Sequence, residues 1–180
     1  MQCMNLLEHD HKIILRALNV LAEIAARVEK GEWVDSRDVE AILRFLRVFG
    51  DGYHQTKEES ALFPELRRSA AEQNKELNHM LFEHEQERSL VEGLEESLKV
   101  KKGADFVFYA NRLIALLRNH IHKEDHVLFD IVEKSLSQDQ DKAVVAAFAK
   151  FECDFEAGRG HGLLDDLGRL EWEYLKRRSA

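Results

Sequence analysis

Little in this chain can break a helix. It has one proline, Pro64, and nine glycines in 180 residues, so long uninterrupted helices are open to it. The two cysteines, Cys3 and Cys153, have no motif spacing. They read as two free thiols in a reducing compartment, not as a disulfide framework. No run of about 18 apolar residues occurs, so no transmembrane helix is expected. The first residues, MQCMNLLEHDHK, lack a basic region followed by an apolar stretch, so no signal peptide is expected there. Positive charge is in deficit: 26 Lys and Arg stand against 34 Asp and Glu, a net charge of −8. That argues against nucleic acid or a membrane surface as partner. A cytoplasmic protein is expected. There is no phosphate-cradling glycine loop, no HExxH and no Ser/His/Asp arrangement.

What remains is helix. Hydrophobic residues make up 44% of the chain, enough for a sizeable core in one domain, and charged residues 33%, enough to solvate helix faces. Apolar residues recur at helical spacing from Asn5 to about Glu29 (Leu7, Ile14, Leu18, Leu21). A second helix, capped by Asp35 or Ser36, runs through Ile42, Leu46 and Phe49 to about Phe63, where Pro64 should end or kink it. Gly50 and Gly52 sit inside it, at a cost of about 1 kcal/mol each relative to alanine, and small residues there make room for something. A third helix is expected from Glu72 to Val100, with Leu77, Leu81, Val91 and Leu94 inward, and a fourth from Ala104 to Leu136. No strand pattern is present. The expected fold is all-α: an antiparallel up-down four-helix bundle over residues 1–136, with residues 137–180 as a helical extension packed outside. The extension has a glycine-rich break, GRGHG, and a final helix to about Arg177.

One cassette occurs twice. HQTKEESALF begins at His54 and HIHKEDHVLF at His120, an offset of 120 − 54 = 66 residues. Both read His-x-x-Lys-Glu-acid-x-x-Leu-Phe. In each, the histidine and the glutamate (His54 and Glu58, His120 and Glu124) are four apart, on one helix face and in the phase of the core. A buried carboxylate must neutralise or find a cation. The third helix adds His84 on its inward stripe. The first offers His9 and His11; His11 is in phase with Leu7, Ile14 and Leu18, and His9 is not. Counting along the helices puts these residues at one depth. The candidate site is His11, His54, Glu58, His84, His120 and Glu124. Four imidazoles and two bridging carboxylates suit two divalent metals, iron first, manganese second, zinc less well. Glu87 and Arg88 beside His84 could orient ligands. Tyr53 is expected to pack at the bundle surface. Glu59, Asp125, His9, His79, His122, His126 and His161 are expected to face solvent.

On EHDHKIILRAL (from Glu8), HQTKEESALFP, FEHEQER (from Phe82) and HIHKEDHVLF, the chain resembles the hemerythrin-like family, the HHE cation-binding domains. The resemblance implies a non-haem diiron centre with an oxo or hydroxo bridge, in a protein that binds or senses O2, NO or peroxide or handles iron. It implies a metal- and gas-binding protein, monomeric or homodimeric, more than a dedicated enzyme. The alternative is a diiron oxidase, peroxidase or ferroxidase. Two departures stand out. Classical members carry a second histidine four residues from the one on helix three; here those positions hold Met80 and Arg88. They also use histidine and aspartate five apart on the last helix, a spacing that Asp125 keeps in play beside Glu124. Without a fifth histidine, about two of some twelve octahedral positions stay open. That favours sensing or redox chemistry over bulk oxygen carriage.

Overall fold

The structure, a computed structural model, describes residues 1–69, 74–158 and 160–176. These residues form helices and no strand: α1 (Gln2–Glu29), α2 (36–69), α3 (Asn74–Lys99), α4 (103–135), α5 (Gln138–Ala157) and α6 (163–176). Helix α1 packs on α2 and α4, and α3 packs on the same two. Joined in chain order, they close the up-down ring expected from the sequence.

The ring has two apolar layers. One gathers Ile14, Leu18, Leu21, Ile42 and Leu113 with their neighbours. The other gathers Leu7, Leu62, Phe63, Leu77, Leu128 and Phe129. On each helix the inward histidine lies between the residues of these layers, so a polar layer is clamped between two greasy ones.

Three helices change pitch along their length. Leu46–Gln55 and Glu58–Leu62 in α2, and Glu124–Leu128 in α4, are π-helical, as is Trp172–Lys176 in α6. Of the two outcomes expected at Pro64, an end or a kink, the structure excludes the end. The helix does not end there but continues to Ser69. The Phe63 amide bonds the Glu58 carbonyl, five residues back. This wide turn has already interrupted the regular ladder when the chain reaches Pro64, so its missing N–H costs little. The first helix starts at Gln2, ahead of the expected Asn5. The expected start of the third at Glu72, and the last residue of the tail at Arg177, lie outside the described residues.

The tail adds to both layers. Val144 and Phe148 of α5 join one, and Leu163, Leu167, Leu170 and Tyr174 of α6 join the other. Ser137 opens α5 with a reciprocal capping box to Gln140. Asp141 accepts from the backbone amides of Gln2 and Cys3 at 3.0 Å each. It thereby caps α1, whose Met1 has no side chain to do so. Arg169 and the Tyr174 hydroxyl converge on Asp38 at 2.7 and 2.9 Å. Asp141→Ala should therefore lower the unfolding free energy in urea by about 1 kcal/mol, the usual worth of an N-cap, with an unchanged slope.

Candidate metal centre

Each helix of the ring supplies one inward histidine: His11, His54, His84 and His120. Helices α2 and α4 add Glu58 and Glu124, the residues that open the two π-turns. All six are at most 3% exposed. They form two overlapping groups, His11, His54, Glu58 and Glu124, and Glu58, His84, His120 and Glu124. Within each, the candidate donor atoms lie within 4.8 Å of one another. The two carboxylates are common to both groups.

Glu124 reaches one way with each oxygen. Oε2 lies 3.1 Å from His11 Nε2, and Oε1 lies 3.1 Å from His120 Nε2. Glu58 Oε2 lies between His54 Nε2 at 3.6 Å and His84 Nε2 at 3.5 Å. None of the four carboxylate oxygens of Glu58 and Glu124 has a hydrogen-bond partner in proper geometry, although all are buried. Two adjacent, unsatisfied carboxylates in a dry interior are costly unless a cation joins them. The donor set of imidazole and carboxylate fits iron or manganese.

Behind each histidine stands an acid. His11 Nδ1 lies 2.7 Å from Asp125 and His84 Nδ1 2.7 Å from Glu59. His120 Nδ1 lies 2.9 Å from Glu83, and His54 Nδ1 3.4 Å from Asp10. Each acid holds the outer nitrogen and leaves Nε2 to face inward. Three of the acids are themselves anchored: Asp10 by Lys57, Glu83 by Lys123 and Glu59 by Arg88. Lys57 is buried, with its ammonium over the Tyr53 ring at 4.1 Å.

The arrangement repeats by an approximate two-fold relation that exchanges α1 with α3 and α2 with α4. His11 and His54 meet edge to face at 4.8 Å, as do His84 and His120. Phe129 stacks on His11 and Phe63 on His84, each at 5.9 Å. Both π-turns close from that phenylalanine's amide to the inward glutamate's carbonyl. The turn adds one residue to the helical circuit, which is how one cassette presents both its glutamate and its phenylalanine to the interior.

Burial and the close neighbours set the electrostatics of this layer. Burial and the neighbouring Glu124 push Glu58 well above the usual carboxylate range. Burial opposes ionisation of Glu124 too, but His120 and His11 overcome it and hold its pKa well below that range. Burial drives His54 down to about 4. It works against His11 as well, yet Asp125 and Glu124 hold that imidazole up at about 9. The two matched glutamates are thus pushed in opposite directions, as expected when two carboxylates share a site.

The hemerythrin HHE cation binding domain matches residues 4–132, a span that contains all six residues and both cassettes. The chain belongs to the hemerythrin HHE family. No curated protein and no solved structure matches it. Cation binding is thus the family's chemistry and is in keeping with the buried clusters.

The structure brings together the six residues picked from sequence, and His11, not His9, is the inward histidine of α1; His9 is exposed. His79, His122, His126 and His161 are exposed as expected, and Tyr53 packs against Phe49 and Phe155. Glu59 and Asp125 depart from expectation. They are part-buried behind His84 and His11 and do not simply face solvent. Glu87 is buried and takes a hydrogen bond from Gln55, while Arg88 joins Glu59 and Asp51. Sequence reasoning missed Asp10, Glu83, Lys57 and Lys123. Two signals were present: Asp10 and Glu83 each directly precede an inward histidine, and the lysine recurs at one place in both cassettes.

Glu58→Gln separates the cost of the layer from its use. The variant's metal-free form should melt no lower than the metal-free wild type, because a costly buried acid is gone. The rise in melting temperature on adding iron(II) anaerobically should shrink or vanish. Calorimetry with and without metal reads both.

Proposed function

We propose that this HHE protein holds two iron ions and uses them to bind or sense O2, NO or peroxide. His11 and His54 would hold one iron, His84 and His120 the other, and Glu58 and Glu124 would bridge them. The observation that carries this reading is the sharing of two orphaned carboxylates between two histidine pairs. A single-ion site would need only one of the groups. We further propose that residues 1–136 form the metal-holding unit and that residues 137–180 serve it as a packed extension.

Bound iron supplies Lewis acidity and an electron that a small ligand can draw on. The chain's own residues do the rest. The four outer acids fix the imidazole tautomers, and Phe63 and Phe129 cover the histidines of α3 and α1. No further nitrogen donor approaches from α3: Met80 lies in the apolar layer, and Arg88 is tied to Glu59 and Asp51. The donor count therefore leaves room for exogenous ligands at both metals, which suits reaction more than storage of O2.

Protein from iron-replete cells should contain about two irons per chain, and His54→Ala and His120→Ala should each lose most of that iron. Full iron in both variants would contradict the assignment. After O2 is added to the anaerobic iron(II) protein, spectra should show oxidation within minutes. An oxygenated form stable for hours would instead indicate a carrier.

A further inference from the structure

The two-fold likeness of the bundle is incomplete, and one departure from it borders a cavity against the centre. It offers about 30 Å³, where a single water needs at least ~10–15 Å³, so it takes a molecule of two heavy atoms. His54 and Glu87 close its inner end, and Arg47, Gly50, Asp51 and Arg88 lie toward the surface. One wall is apolar, made of Ile14, Leu113, Leu117 and Ile121. From α2 and α3 the lining mixes Leu46 and Val91 with the polar Gln55 and Glu87.

Counting from the matched histidines exposes the difference. Glu87, three after His84, stands where α1 has Ile14, three after His11. Gln55, one after His54, stands where α4 has Ile121, one after His120. The α1–α4 half does without these polar groups, so holding metal does not require them. Glu87 is 4% exposed. Its Oε2 accepts from Gln55, but Oε1 has no hydrogen-bond partner. The nearest charged group to Oε1, His120 Nδ1 at 3.9 Å, is already taken by Glu83. Gly50 is equally unexplained by the fold. A Cβ there would meet nothing within 4 Å, and its φ is not left-handed. Neither backbone nor packing calls for glycine, which leaves an open mouth as its effect.

We propose that this cavity admits a small uncharged hydroxylic molecule, hydrogen peroxide being the one that fits, and that Glu87 selects it by a hydrogen bond at Oε1. The inference rests on the peroxide branch of the proposed function. The apolar wall accommodates an O–O unit but strips an ion of its hydration. Burial raises the Glu87 pKa to about 7; above that pH Oε1 is an acceptor, and O2 and NO have no hydrogen to give it. In the reaction each peroxide takes two electrons from two iron(II) ions and two protons, its O–O bond breaks, and two waters leave.

The test compares two ligands on one set of variants. Stopped-flow rates are measured for peroxide oxidation and for NO binding, with iron content determined for each protein. Glu87→Leu should slow the peroxide reaction about tenfold, the worth of one hydrogen bond in a dry site, and leave NO binding within about twofold. Glu87→Gln keeps a single acceptor oxygen, the one Gln55 already uses, and should recover only part of the peroxide rate. Gly50→Phe should slow both ligands by narrowing the mouth. An unchanged peroxide rate in Glu87→Leu, or an equal fall for both ligands in that variant, overturns the inference. Zinc-loaded crystals soaked in hydrogen peroxide give a readout independent of iron chemistry. Peroxide density against Glu87 supports the inference; water alone, or an empty cavity, overturns it. Wild-type iron protein inert to both ligands would sink the proposed function, while the soak would still decide the cavity.

Discussion

Two glutamates buried side by side without hydrogen-bond partners are the constraint on which the rest of this molecule depends. Glu58 and Glu124 have no exposure at all, and a carboxylate in such a place costs several kcal/mol unless something offsets it. Among the described residues, no lysine or arginine pairs with them. Lys57, Lys123 and Arg88, the cations nearest the layer, are each engaged by an acid behind a histidine. The fold keeps its cations one step back and leaves the centre to imidazole and carboxylate. Two apolar layers clamp that centre above and below. A cation-binding family and a layer short of cations agree in sense.

The repeated cassette is the unit from which the layer is built, and each of its fixed positions has a physical task. The histidine and glutamate point inward. The lysine reaches the acid that stands behind its own cassette's histidine: Lys57 to Asp10 behind His54, Lys123 to Glu83 behind His120. The acid after the glutamate turns the other way and holds the histidine of a neighbouring helix, Glu59 for His84 and Asp125 for His11. The leucine enters the apolar layer, and the phenylalanine stacks on that same neighbouring histidine. One π-turn per cassette sets these directions. An α-turn would carry the phenylalanine about 100° away from where it is needed.

Much of this was legible in the sequence, because the ring helices are long and their apolar period is strong. The six inward residues were readable for a related reason: histidine and glutamate four apart on an apolar face stand out. The outer acids were harder to read, their only signals being the place of Asp10 and Glu83 before an inward histidine and the recurring lysine. On α3 the sequence suggests a stripe through Leu81, yet Leu81 is only half-buried while Met80, Glu83 and Glu87 are inside. An inward acid reads as a surface residue unless its partner is known, and the partners lie on other helices. The π-turns were hidden too. Nothing in EESAL or EDHVL departs from ordinary helix composition, and the only local hint, Pro64, reads as a stop or a kink when the wide turn that accommodates it is not visible.

The symmetry is a guide to function because it is incomplete. Where both halves agree, at the histidines, glutamates and outer acids, the shared task is to hold and orient the centre. Where they differ, at Glu87, Gln55 and Gly50, one half is open and polar while the other is closed and apolar. Under the proposed function, a centre reached from one side would give an asymmetric ligand event at a symmetric pair of metals. The central claim is the pair itself. Anomalous diffraction at the iron edge, from crystals of protein grown in iron-replete cells, tests it most directly. The account predicts two iron peaks, one against His11 and His54 and one against His84 and His120, with Glu58 and Glu124 between them. A single peak, or two that do not share those carboxylates, would contradict it.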